Sequence, residues 1–124
     1  MITTAERNVN RAGLSNVGFV CRDVFEQRTG LEPESADMVL LFNILHFPER
    51  RVLLEEACRI LRPSGIAAII HWRKDIETPR GPRNDTRPDR ASILESITGL
   101  PFSIYGSEEI LEPYHLGILL IKDK

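Results

Sequence analysis

Blocks of apolar residues follow one another along the chain with different periods, and the periods separate helices from strands. Ala5, Val9 and Ala12 recur on one helical face, Thr3 and Glu6 have capping-box spacing, and Gly13 follows as a stop, predicting a helix from Thr3 to Ala12. Asn16 to Cys21 reads as a modest strand, and the polar stretch from Arg22 to Ala36, broken by Gly30 and Pro33, as a loop. Met38 to Phe42 is an unbroken apolar run between Asp37 and Asn43, the pattern of a central strand covered on both faces. Pro48 is placed to open a helix whose broad apolar face comprises Val52, Leu53, Leu54, Ala57, Cys58, Ile60 and Leu61, with Pro63, Ser64 and Gly65 ending it. Ile66 to Trp72 is the next buried strand, so Met38 to Trp72 forms a βαβ unit and the fold class is α/β.

The second half is more polar at first. Arg73 to Arg90 holds six basic and four acidic residues with Pro79, Gly81, Pro82 and Pro88, a long surface loop. Asp89 to Ile97 reads as a helix ended by Gly99. Phe102 to Leu111 and Tyr114 to Ile121 flank Glu112-Pro113, which predicts a terminal antiparallel hairpin with the wholly apolar Leu116 to Ile121 inside the sheet.

The 124 residues, 42% apolar and 27% charged, suit one globular domain that needs no disulfide or metal to hold a core. Cys21 and Cys58 form no CxxC pair and are expected as reduced thiols; with no membrane-length apolar run and no secretory layout at the start, a cytoplasmic location is expected. A net charge of -2 gives no general attraction to nucleic acid or an anionic membrane, and neither is expected as a partner. His46, His71 and His115 are too scattered for a metal site. Arg80, Arg83, Arg87 and Arg90 can hold an anion, but interleaved Asp85 and Asp89 favour a solvated, self-paired surface.

The segments LLFNILHF (40–47), ACRILRPSGIAAIIHW (57–72), TPRGP (78–82) and PYHLGILL (113–120) together resemble the second half of small bacterial class I S-adenosylmethionine-dependent methyltransferases. The resemblance covers nearly the whole chain. It implies a Rossmann-like, three-layer fold taken from a seven-stranded sheet of order 3-2-1-4-5-7-6, here a mostly parallel sheet of about five strands in the order 3-4-5-7-6. The chain is then expected to begin in the helix before the family's third strand, without the glycine-rich turn that cradles the cofactor's methionine end; its eight glycines include no GxG. The exposed edge of the 38–42 strand is expected to be covered by a second copy of the chain.

The resemblance also assigns roles. Asp23 would accept a hydrogen bond from the adenine amino group and Val24 pack on its ring, with turn formation an equally weighted role for Asp23. Asn43 and His46 would line the floor near the sulfonium, with Asn43 touching the cofactor and His46 available as general base, although a helix-initiating role for His46 carries about twice the weight. His71, Trp72, Arg73, Tyr114 and His115 would shape the pocket of a small-molecule acceptor, Trp72 being more readily a packing residue. Two functions stay open: methyl transfer from S-adenosylmethionine to a small molecule, with the rest of the cofactor site supplied by another chain or copy, and a non-catalytic α/β interaction module.

Overall fold

The structure is a computed structural model and describes residues 2–124. In chain order the elements are α1 (Ile2–Arg11), α2 (Val24–Gln27), β1 (Ala36–Phe42), α3 (Arg50–Ile60), β2 (Leu61–Trp72), α4 (Arg90–Ser96), β3 (Phe102–Ile104), β4 (Glu109–Leu111) and β5 (His115–Lys122), with a single 3-10 turn at Asn84–Thr86. The five strands make one sheet of order β1-β2-β5-β3, with β4 also alongside β5. β1 and β2 are parallel, from Met38 opposite Ile66 to Phe42 opposite Ile70, and α3 connects them. β2 and β5 are antiparallel, from Ile66 opposite Ile121 to Trp72 opposite His115. No described helix is long and apolar enough to cross a membrane.

The α/β class, the βαβ unit and the internal place of β5 are as the apolar runs predict. α3 and α4 lie on one face of the sheet, where Leu53, Leu54, Ala57 and Ile93 meet Leu41, Ala67, Ile69, Leu116, Ile118 and Leu120 in the core. Asp89 starts α4 by accepting a hydrogen bond from the Ser92 amide at 2.8 Å, an N-cap that leaves no doubt about where the basic loop ends.

Four expectations are corrected. Asn16 to Cys21 forms no strand: among the described residues nothing pairs with it, Val17, Phe19 and Val20 are exposed, and a strand without a neighbour has no ladder to hold it. The order 3-4-5-7-6 therefore loses its first member and keeps the rest. β1 is an edge strand covered on one face only, because α3 and α4 take the same side; Met38, Leu40 and Phe42 point away from them and are exposed. β2 begins at Leu61 rather than Ile66, pairing Leu61 with Ala36 before a register shift absorbs residues 62–65. A Cβ on Gly65 would lie 2.8 Å from the Arg62 carbonyl and 3.1 Å from that of Asp37, so only glycine permits this close backbone approach. Finally, Phe102 to Leu111 is two short strands, because the six residues from Ile104 to Glu109 face the four from Leu120 to Gly117 and the surplus loops out around Gly106.

Candidate functional site

The carboxyl ends of β1 and β2 meet at one edge of the sheet, the place where open α/β sheets bind ligands. β1 ends at Asn43, whose backbone turns into the left-handed region (φ 56°) while its amide still donates to the Ile70 carbonyl at 2.7 Å. This reversal sends Ile44 to Phe47 across the top of the core, with Leu45 fully buried and its carbonyl accepting from Arg50 Nε at 2.7 Å.

β2 ends with His71 and Trp72, and adjacent strand residues point to opposite faces. His71 lies on the α3 face, fully buried. Its Nδ1 is 3.2 Å from the Trp72 carbonyl, which only accepts, so Nδ1 carries the proton and Nε2 presents a lone pair. Burial pushes the His71 pKa down to about 4, with His46, Arg87 and His115 adding in the same direction, so the ring is neutral. The His46 ring is centred 5.7 Å from that of His71 and stacks on Phe47 at 4.4 Å; Phe47 meets Phe25 of α2 edge-on at 5.1 Å. Asn43 Oδ1, His46 Nδ1 and His71 Nε2 are all buried and, among the described residues, without a hydrogen-bond partner. Buried polar atoms in folded proteins are paired with protein, water or ligand partners, and these three lie together at one sheet end.

Asp23 lies two residues before Phe25, whose ring meets Phe47 beside His46. Its Oδ1 accepts from the Phe25 and Glu26 amides at 3.0 and 3.4 Å and caps α2, the turn-forming role, while Val24 packs on the edge of the core. The loop after α2 is fastened by Glu56 of α3. This buried carboxylate accepts from the Thr29 amide and hydroxyl at 2.7 and 2.6 Å and from Arg59, which also reaches the Leu31 carbonyl. Arg59 is the chief reason that the Glu56 pKa falls to about 2.

The expected acceptor pocket is divided by the sheet. Trp72 lies against His115 with ring centres 4.2 Å apart and a tilt of 36°, and approaches Tyr114 at 6.2 Å, on the face away from His71. The 73–89 segment returns over the indole so closely that a Cβ on Gly81 would lie 2.9 Å from Trp72 Cδ1. Arg73 is engaged with Asp75 at 2.9 Å and with the Pro113 carbonyl, and its amide donates to Tyr114. Among the loop arginines, Arg83 pairs with Asp85 as the solvated reading requires. Arg87 departs from it: it is buried, donating to the Arg73 and Pro82 carbonyls at 2.9 Å, to Thr78 Oγ1 at 2.8 Å and to the Arg80 carbonyl, with no carboxylate partner among the described residues. No group of three metal-ligating side chains exists among the described residues.

Residues 1–69 match a family profile described as a methyltransferase domain. No curated protein sequence matches. Among solved structures the chain is similar to a SAM-dependent methyltransferase from Aquifex aeolicus, at 23% identity and a TM-score of 0.81 over 97% of this chain and 62% of that one. It is also similar to the N-methyltransferase NodS from Bradyrhizobium japonicum (14%, 0.71, 100% and 70%) and to the [4+2]-cyclase SpnF (15%, 0.76, 98% and 62%). At these identities the likeness is one of fold, and a cyclase among the matches shows that the fold carries more than one chemistry. The chain spans about three fifths of the length of the Aquifex structure.

Proposed function

We infer, because the chain belongs to the methyltransferase domain family, that it takes part in methyl transfer from S-adenosylmethionine to a small molecule, with the carboxyl ends of β1 and β2 as the reacting end. The observation that carries this reading is the convergence of Asn43, His46 and His71 at that sheet end, where Asn43 Oδ1 is buried and, among the described residues, without a hydrogen-bond partner.

The residues fit one end of the cofactor. Asp23 keeps Oδ2 clear of any hydrogen bond among the described residues, available to an adenine amino group, with the Val24 side chain beside it. Asn43, at the end of β1, would face the sulfonium. The amino-acid end is a different matter, since residues 1–124 contain no GxG turn to present backbone amides to it. When bound, the donor supplies a methyl group already activated on a sulfonium. The chain's own part is to hold the acceptor in line and to take its proton, with His46 Nε2 the available base.

Titration of the chain with S-adenosylhomocysteine in a calorimeter tests this. Binding is expected, and Asp23→Asn, which keeps the α2 cap but removes the charge, weakens it about fivefold. Silence at millimolar ligand overturns the reading.

The exposed edge of β1 favours a second one, an interaction module built on a second copy of the chain. Met38, Leu40 and Phe42 project from the exposed face of an edge strand, and antiparallel pairing of two such edges about a twofold axis satisfies the free edge of both. Sedimentation should then show a dimer that Leu40→Lys dissociates; a wild-type monomer at high concentration contradicts it.

A further inference from the structure

Two of the unpartnered atoms complement each other. His71 Nδ1 donates to the Trp72 carbonyl, which leaves His71 Nε2 an obligate acceptor, and the nearest unpartnered polar ring is that of His46, whose buried Nδ1 also has no partner. His46 Nε2 makes no hydrogen bond and is not among the buried orphans, so it reaches solvent at the sheet end. We propose that the Trp72 carbonyl, His71 and His46 form a relay in which His46 Nδ1–H donates to His71 Nε2, fixing the His46 tautomer so that its Nε2 lone pair faces the cleft.

The ring centres lie 5.7 Å apart with a tilt of 59° and the two nitrogens are not bonded to each other in this structure, so the relay requires the His46 ring to turn on Phe47 toward His71. His71 suits the inner position because the ionisable groups around it, His46, His115 and Arg87, are all cationic when charged and include no carboxylate. It stays neutral and acts as a positioning residue, while His46 meets the acceptor. During transfer, the acceptor hydroxyl or amine would release its proton to His46 Nε2; the resulting imidazolium keeps its Nδ1–H on His71 and returns the other proton to water. The basic role rests on the methyltransferase reading, whereas the hydrogen bond does not.

Long-range proton–nitrogen spectra of the isotope-labelled chain, recorded without cofactor, test the relay. His46 is expected with a protonated Nδ1 and an unprotonated Nε2 in the wild type and in His71→Gln, whose amide oxygen can replace the acceptor. In His71→Phe the tautomer should shift toward Nε2–H. A wild-type His46 already protonated on Nε2, or a tautomer unmoved in the phenylalanine variant, overturns the relay. If His71→Phe does not fold, the wild-type and glutamine spectra decide alone. Cofactor binding measured separately distinguishes loss of the relay from loss of the methyltransferase reading.

Discussion

Glu56→Ala is expected to lower unfolding stability by about 3 kcal/mol in urea titrations near neutral pH, because it removes the acceptor from a buried, charged hydrogen-bond centre. Glu56 is 3% exposed and ties three segments together: α3 through Arg59, the residue after α2 through the Thr29 amide and hydroxyl, and the following loop through the Arg59 bond to Leu31. Without the carboxylate the Thr29 amide loses its partner, and the Arg59 guanidinium keeps only its carbonyl.

The pH dependence provides a separate signature. A carboxyl whose pKa falls from 4.5 to about 2 on folding contributes stability that is complete above about pH 4.5 and is lost as the pH drops toward 2. A shift of that size corresponds to about 3 kcal/mol. His71 acts in a different window. Its pKa falls from 6.5 to about 4, so the unfolded chain takes up a proton that the fold refuses, and stability is lost between those values as the pH falls. Glu56→Ala should therefore flatten the stability profile below pH 4.5 and leave the decline between 6.5 and 4 intact. Parallel profiles for wild type and variant across the whole range would contradict this assignment.

Arg87→Met is expected to cost about 3 kcal/mol and to expose the 73–89 segment to protease. One guanidinium holds that segment through the carbonyls of Arg73, Arg80 and Pro82 and the Thr78 hydroxyl. Methionine fills a similar volume and satisfies none of them, leaving buried carbonyls unpaired. Lysine is not a substitute, since a single ammonium cannot span acceptors arranged around a planar fork, so Arg87→Lys should recover less than half of the loss. Cleavage by trypsin after the exposed Arg80 and Arg83 is the sensitive readout, faster in both variants than in the wild type. Unchanged stability and unchanged cleavage would show that the segment is held by other contacts.

The contrast between Arg87 and Met38–Phe42 shows what the sequence can and cannot disclose. The β1 run, the α3 periodicity and the Leu116–Ile121 run are local patterns with single structural solutions, and each appears in the fold where its pattern places it. The number of faces covered depends on which side each helix takes, information that no window of residues contains; hence β1 was expected buried on both faces and has one exposed. Val17 to Cys21 has strand composition, but a strand exists only with a neighbour. Arg87 sits among charges and prolines, where solvation is the default expectation, and its burial arises because a folded-back loop turns its own carbonyls inward. The separation of His71 from Trp72 was legible, since residues adjacent in a strand face opposite ways; grouping them in one pocket ignored that rule. Phe25 and Phe47, which join α2 to His46, carry no spacing signal and required the fold.

The ligand end of the fold is tested most directly by mapping backbone amide shifts of the labelled chain during titration with S-adenosylhomocysteine. Shifts confined to Asp23–Phe25, Asn43–Phe47 and His71–Arg73 are expected. Shifts centred instead on Gly106, Gly117 and Leu119, which line the apolar cavity on the uncovered sheet face, or no shifts at millimolar ligand, would contradict the assignment.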